Sequence, residues 1–359
     1  MMAHPACRLA GLALGLTCRL PACAQPQAAV RPAPMLASPT EMFALSASPC
    51  AAEGYPMKIY AGAFVRADGL TFPVPSGHFL LGSWGASSIG WAVGEERQPV
   101  PASLDLLYFS YAEDTFYAGH FPLAQQRLYE LLKTGFWHAD KKQQLTYTTL
   151  TVCVLPKGMV CLWLTGIGKQ VLVGRFQGSA SAVEFKQFNK TGSRAQVIRE
   201  EQAKLSPAVR HQLATGTIST RQWEDYLRTY SWHVAFSRPI TLDNYRVNFL
   251  SAEYVARPDA RDTAPYVRAL LHPTARAVPS RMSLYIRDEA GHAHLLRTTA
   301  FDEAETMAAF AALHNQHPTR PLTLRVETDQ YVTKASLVLT NGLQTIPLAK
   351  TAVEVLAQD

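Results

Sequence analysis

The chain has 359 residues, of which 48% are hydrophobic and 17% are charged. This composition excludes disordered, collagen-like and low-complexity proteins, and the length predicts two folded units. Lys and Arg number 34 against 28 Asp and Glu, which gives a net charge of +6. Because the basic residues are scattered and form no Lys/Arg-rich run, a nucleic-acid partner is not predicted.

Residues 1–24 have the features of a secretory signal. Arg8 precedes the apolar run Leu9–Leu16, and Pro21 and the small-residue pattern Ala22–Ala24 follow. A basic start, a short apolar stretch and an A-x-A-like end are typical of export. The run is too short to cross a bilayer as a helix. We therefore predict an exported protein of the bacterial envelope.

Two routes of maturation remain open. Cleavage after Ala24 would release a soluble periplasmic protein that begins at Gln25. Cleavage before Cys23, in the lipoprotein-like box Leu20–Cys23, would leave a lipid-modified cysteine. The lipid on Cys23 would then be the chain's only contact with the membrane. Residues 25–42 contain four prolines and are predicted to form an extended tether.

Residues 43–255 are predicted to form a sheet-rich main domain with a few helices. Residues 57–65 alternate with the period of a strand, and residues 103–111 form another strand with Asp105 on the same face as Tyr111. A helix is expected to begin at Pro122 and to end at Gly135. The overall class is α+β, with antiparallel sheets and helices on one side.

The clearest hairpin lies in residues 145–165. Leu155–Gly158 suits a tight turn, and the resulting register places Cys153 opposite Cys161. In an exported protein, two opposed cysteines are candidates for a disulfide, so we predict the bridge Cys153–Cys161. Cys50 is a competing partner for either cysteine, and two buried free thiols are the alternative.

A smaller α+β domain is predicted for residues 264–359, after the polar segment 256–262. Asp302 is expected to cap a helix, with Glu305 at the reciprocal position of a capping box. The helix is predicted to bury a stripe of small and apolar side chains. This stripe comprises Ala304, Met307, Ala308 and Ala311.

No coherent catalytic constellation stands out. Asp105, Glu113 and His120 are the best candidates for acid–base chemistry, although a turn is the simpler reading of Glu113 and its neighbours. Two histidine pairs have a spacing that metal sites use, but each also suits a turn or a helix end. These pairs are His292 with His294 and His314 with His317. No catalytic residue, metal or other cofactor is therefore predicted.

Several short segments occur together in a recognisable order. They are Tyr55–Gly62, Trp84-Gly85, Leu104–Asp114, Val173–Phe176 and Trp232–Phe236. Over about residues 43–255 the chain resembles the bacterial lipoprotein family known as domain of unknown function twenty-nine thirty-one. The resemblance implies an exported, often lipid-anchored protein without an assigned activity. Some members of such families resemble immunity lipoproteins that protect a cell against lipase toxins.

These observations predict a non-catalytic envelope protein that binds a protein partner, such as a lipase toxin. Tyr108, Tyr111 and Tyr117 are expected to anchor that partner on a solvent-facing patch, because tyrosine supplies rigid amphipathic contact area. The alternative is an envelope hydrolase that acts on cell-wall or lipid substrates. A concave pocket with converging titratable groups would favour the hydrolase.

Overall fold

A computed structural model describes residues 41–90, 95–138, 141, 143–256 and 268–358. The signal segment, Cys23 and nearly all of the tether lie outside this range. The strands are β1 (Phe43–Ala44), β2 (Ser46–Ala51), β3 (Met57–Val65), β4 (Thr71–Pro73), β5 (Phe79–Leu80), β6 (Arg97–Gln98), β7 (Ser103–Ser110), β8 (Thr115–Pro122), β9 (Phe136–His138), β10 (Gln143–Leu145), β11 (Thr149–Val154), β12 (Met159–Gly166), β13 (Lys169–Gln177), β14 (Ser179–Ser181), β15 (Thr229–Phe236), β16 (Thr241–Phe249), β17 (Tyr254–Ala256), β18 (Thr274–Ala277), β19 (Pro279–Arg287), β20 (Ala293–Thr298), β21 (Leu322–Thr328), β22 (Ala335–Thr340), β23 (Thr345–Pro347) and β24 (Glu354–Ala357). The helices are α1 (Gln125–Thr134), α2 (Phe185–Phe188), α3 (Arg194–Ala203), α4 (Pro207–Thr215), α5 (Arg221–Tyr226) and α6 (Glu303–Gln316).

The described strands form five sheets, of which two are two-stranded (β1 with β6, and β9 with β10), and the chain is a sheet-rich α+β protein as predicted. The large sheet has nine strands in the order β2-β11-β12-β13-β17-β16-β19-β20-β24. A six-stranded sheet has the order β14-β8-β7-β3-β4, with β5 also paired to β3, and a five-stranded sheet has the order β18-β15-β21-β22-β23. Most neighbours are antiparallel, but β2 runs parallel to β11 and β15 runs parallel to β21.

The apolar interior is divided into two main cores. The first extends from Phe43 to Tyr226 and lies between the six-stranded sheet and the first strands of the large sheet. The second extends from Tyr230 to Leu348 and includes α6. The boundary between the two cores therefore lies near residue 228 and not in the polar segment 256–262. The reason is that β15 and β16 precede this segment but pair with β21 and β19, which follow it. Residues 257–262 of that segment lie outside the described residues, and strands from both sides of it share the large sheet.

The predicted hairpin register is confirmed. Cys153 pairs with Cys161 and Val154 with Val160, as the tight turn requires. Lys157 adopts a φ of 57° in that turn, which is unusual for a residue other than glycine. The predicted helix α1 also forms, but it begins at Gln125. Pro122 instead ends β8, where it pairs with Ser103.

The structure of helix α6 differs from the prediction in two details. Asp302 caps the helix through the backbone N–H of Glu305, but Glu305 accepts from the backbone of Lys350 and not from Asp302. The buried side chains are Thr306, Ala309, Phe310 and Leu313, so the predicted alanine-rich stripe is wrong. Larger side chains decide the buried face because they remove more apolar area from water.

Among the described residues, no helix is both long and apolar enough to cross a membrane.

Candidate functional site

The three tyrosines expected on a solvent-facing patch are buried. Tyr108, Tyr111 and Tyr117 are 1%, 5% and 8% exposed. Tyr108 donates a hydrogen bond to the carbonyl of Leu155 at 3.0 Å, and burial raises the pKa of Tyr111 to about 12. The prediction that these side chains anchor a partner is therefore wrong, because Tyr108 and Tyr117 face the first core and Tyr111 packs in the aromatic cluster beneath α2 and α3.

Glu113 is also a buried structural group. Its side chain is 5% exposed and accepts hydrogen bonds from Tyr117 and Ser110, each at 3.0 Å. The backbone N–H of Lys157 donates to both carboxylate oxygens, and the Lys157 ammonium lies 3.4 Å away. Glu113 lies in the turn between β7 and β8, at the opposite end of these strands from Asp105 and His120. The three predicted acid–base candidates therefore do not converge.

Asp105 and His120 do form a pair on the outer face of the six-stranded sheet. They are cross-strand neighbours, and His120 Nδ1 lies 2.5 Å from Asp105 Oδ1. The two side chains are 52% and 65% exposed and lie at an open groove of about 660 Å³. We call this the Asp105 groove, and it is lined by Ala61, Gly62, Ala63, Asp105, Leu106, Leu107, Ala118, Gly119 and His120. Its lining contains no serine, threonine, cysteine or lysine that could act as a nucleophile.

The Asp105 groove exists because helices cover only part of that sheet face. Phe109 and Phe116 are buried beneath α2 and α3, where they pack on Phe185 and Phe188. Farther along the same strands the side chains are small, as at Ala118, and no aromatic ring fills the space. The groove offers one carboxylate–imidazole pair above a largely apolar floor.

A second groove has an apolar character that sequence reasoning missed. Leu81 is 72% exposed and Phe79 is 38% exposed, and both border a cavity of about 500 Å³. We call it the Leu81 groove, and it is lined by Gly54, Pro56, Phe79, Leu81, Glu201, Lys204, Leu205 and Ser206. Its two charged residues pair with each other at 2.7 Å. The sequence contains one signal that could have indicated this groove. Three large apolar residues, Phe79 to Leu81, lie between Gly77 and Gly82 in a segment with little strand pairing.

The loop that follows Leu81 is held firmly against the large sheet. The indole N–H of Trp84 donates a hydrogen bond to the carbonyl of Leu250 at 2.7 Å. The Trp84 ring also packs edge-on against the ring of Trp163, with the ring centroids 4.8 Å apart. Gln170 donates to the carbonyl of Gly85 at 2.8 Å. Gly85 has a φ of +68°, and a β-carbon there would lie 2.2 Å from that of Ala252. These contacts fix the backbone from which Leu81 projects.

The cysteines of the hairpin lie opposite each other but are free thiols. Cys50, Cys153 and Cys161 are all buried, and the predicted Cys153–Cys161 disulfide is not formed in this structure. Cys50 lies beside Cys153 on the parallel strand, so the three residues form one row. Burial raises the pKa of Cys50 and that of Cys161 well above the usual value.

The histidine pairs do not converge on a common site. His292 Nδ1 and His294 Nε2 both contact the carboxylate of Asp288, at 3.1 and 3.3 Å. Burial raises the pKa of Asp288, but hydrogen bonds from His292 and His294 outweigh it and lower this pKa to about 2. His314 packs instead against the ring of Tyr230. Within the part of the chain that the structure describes, no group of three or more His, Cys, Asp or Glu residues is arranged to hold a metal.

Comparison with known proteins gives a family without an assigned activity. No curated protein and no solved structure matches the chain. The sequence profile of the family described as Protein of unknown function (DUF2931) matches residues 26–220. The match ends before Trp232–Phe236, so it is shorter than the resemblance inferred from sequence, and it closely follows the first core. Since it covers more than half of the chain, this protein belongs to the DUF2931 family.

Proposed function

We propose that this chain is a non-catalytic protein of the bacterial cell envelope that binds a protein partner through the Leu81 groove. The observation that carries the proposal is the exposure of Leu81 and Phe79 side by side at the rim of a cavity. Large apolar side chains that remain exposed together mark interaction sites more often than isolated ones do. Binding energy in such sites is concentrated in a few apolar anchors.

The chemistry of the groove favours an apolar side chain from the partner. Pro56 and Leu205 contribute apolar walls, and Glu201 is neutralised by Lys204 at 2.7 Å. A charged group entering the groove would therefore lose water without gaining an unpaired opposite charge. The contacts of Trp84 and Gly85 fix the loop in advance, which lowers the entropy lost on binding.

The location and the class of partner are further parts of this proposal. The export signal in residues 1–24 supports a periplasmic protein or one that is anchored through a lipid on Cys23. The family resemblance supports an immunity role, in which the partner is a lipase toxin delivered by a neighbouring cell. In that role the Leu81 groove would receive an apolar side chain of the toxin.

Calorimetric titration with a defined partner tests the proposal. Secreted lipases of neighbouring bacteria would be purified and titrated one by one against the protein and its Leu81→Asp variant. We expect one lipase to bind, and Leu81→Asp to weaken its Kd by about 30-fold or more, as for an interface hot spot. Leu343→Asp is the matched control, because Leu343 is 60% exposed in the turn between β22 and β23 and does not line the Leu81 groove. An unchanged Kd for Leu81→Asp, or the absence of binding to every lipase, would contradict the proposal.

A hydrolase is the second candidate, and the Asp105–His120 pair is the observation that favours it. An imidazole oriented by a carboxylate can act as a general base toward water. The test measures release of product from peptidoglycan and from phospholipid vesicles. Turnover that is abolished by both His120→Ala and Asp105→Asn would establish the hydrolase. Equal turnover by these variants and the unmodified protein would exclude a catalytic role for this pair.

A further inference from the structure

Three cysteines lie side by side on neighbouring strands of the large sheet. Cys153 on β11 pairs with Cys161 on β12 and with Cys50 on β2. Directly paired residues share one face of a sheet, so the three thiols form a continuous row. Across the antiparallel pair of Cys153 and Cys161 the α-carbons lie about 4.5 or 5.5 Å apart, and the parallel strands β2 and β11 lie about 4.8 Å apart, so both spacings fall within the range that a disulfide spans.

We infer that Cys50 and Cys153 form a disulfide when the chain folds in an oxidising compartment, and that Cys161 remains a buried thiol. Cys153 can form only one bridge, so the row must resolve into one pair and one free cysteine. Cys50 and Cys153 are direct register partners, and β2 forms the edge of the large sheet, so Cys153 is the cysteine that lies beside Cys50 among the described residues. The Cys50–Cys153 bridge also closes a loop of about 100 residues, which restricts the unfolded chain far more than a hairpin bridge does.

The reaction is thiol–disulfide exchange with an external disulfide, either oxidised glutathione or the disulfide of an envelope oxidoreductase. One cysteine thiolate attacks that disulfide and forms a mixed disulfide, releasing the oxidant's first sulfur as a thiolate. The second cysteine then displaces the remaining sulfur. The two cysteines lose two protons and two electrons, and the oxidant gains both electrons and becomes two thiols.

The burial of the row determines when this exchange can occur. Cys50 is 4% exposed, and Cys153 and Cys161 are fully buried. Burial raises the pKa of Cys50, so little thiolate exists once the strand has docked. The bridge must therefore form before β2 closes onto β11, while the thiols are still accessible.

The first test maps disulfides in two preparations. The inference depends on the proposed export, so the protein is isolated from the envelope fraction of producing cells and is also refolded from its reduced form with oxidised glutathione. Thiols are blocked before digestion. We expect a linked pair of peptides containing Cys50 and Cys153, with Cys161 blocked as a free thiol. A Cys153–Cys161 link, or three free thiols in both preparations, would overturn the inference. A Cys50–Cys153 link after refolding, with the protein absent from the envelope fraction, would support the pairing and contradict the export.

The second test uses thermal unfolding with and without reductant. The unmodified protein is expected to unfold roughly 5 °C higher without reductant, given the length of the closed loop. Cys161→Ala should keep this difference, and Cys50→Ala should lose it. Loss of the difference in Cys161→Ala, with retention in Cys50→Ala, would show that the hairpin pair forms instead.

Discussion

The carboxylate of Glu113 accepts a hydrogen bond from the backbone N–H of Lys157, whose nitrogen lies 3.1 and 3.2 Å from the two carboxylate oxygens. This contact joins the turn of one hairpin to the turn of another. Lys157 adopts a positive φ, which is costly for a residue other than glycine. The buried carboxylate compensates for that cost by holding the turn in place. Glu113 therefore stabilises the contact between these two turns of the first core.

Replacing Glu113 with glutamine should destabilise the protein. The amide group has one acceptor in place of two, so one of the donors from Ser110, Tyr117 and Lys157 is left buried and unpaired. We expect the free energy of unfolding to fall by about 1–3 kcal/mol, measured by urea denaturation. Glu289→Gln is the control, since that side chain is 57% exposed and its partner Arg238 lies 3.8 Å away. An equal effect of both substitutions would contradict the assignment.

Tyr111→Ala should likewise lower the free energy of unfolding, because Tyr111 is a core residue and not a surface contact for a partner. Tyr111 contacts Phe109 and Phe79, with ring centroids 5.0 and 4.9 Å apart. Removing a buried aromatic ring leaves a cavity and costs about 3–5 kcal/mol. The loss is measured as the difference in unfolding free energy between the variant and the unmodified protein. Tyr331→Ala is the control, because Tyr331 is 72% exposed, and it should change the unfolding free energy by about 0.5 kcal/mol or less. A fully stable Tyr111→Ala variant would show that the ring is not part of the core.

Gly85→Ala should weaken the attachment of the loop beneath Leu81. The new β-carbon would lie 2.2 Å from that of Ala252, and the φ of +68° disfavours a side chain. We expect the unfolding free energy to fall by about 2–4 kcal/mol. Gly77→Ala is the matched control, because Gly77 has a φ of +80° with open space around its β-carbon position. It should cost only about 1 kcal/mol. Similar losses in both variants would mean that the contact with Ala252 is unimportant.

Asp288 should contribute to stability in a defined range of pH. Burial raises its pKa, but hydrogen bonds from His292 and His294 dominate and lower it to about 2. A lowered pKa stabilises the folded state above the pKa of the unfolded chain, near 3.9, and this contribution disappears as the pH falls through 2. Melting curves of Asp288→Asn should therefore show a smaller drop in Tm between pH 4 and pH 2 than those of the unmodified protein. The same drop in both would contradict this role.

The local structure of the hairpins could be predicted from sequence because turn chemistry fixes their register. Leu155–Gly158 specified the pairing of Cys153 with Cys161, which is confirmed. Asp302 was likewise identified as a helix cap from its own chemistry. What failed was the assignment of burial. Tyr108 and Tyr117 lie on alternating strands whose two faces are both covered in part, so period-two patterning does not distinguish an exposed face from a covered one.

The candidate sites were less predictable because they depend on contacts between distant segments. The pairing of Asp105 with His120 follows from the β7–β8 register, which the sequence did not specify. The Leu81 groove requires Leu205 to lie beside a loop more than one hundred residues earlier in the chain. Local patterns carry no information about such a juxtaposition. The parallel pairing of β2 with β11 is of the same kind, and it brings Cys50 to Cys153.

The parallel partnership of β2 and β11 also constrains the order in which the chain can fold. Residue 46 pairs with residue 149, and at the other edge of the same sheet residue 297 pairs with residue 354. A chain emerging from the ribosome must therefore hold its first long strand without a partner while the next hundred residues are made. Contacts between residues so far apart in sequence give slow folding, because the loop must close before the contacts form. The nascent chain therefore has a long interval in which chaperones can keep it unfolded.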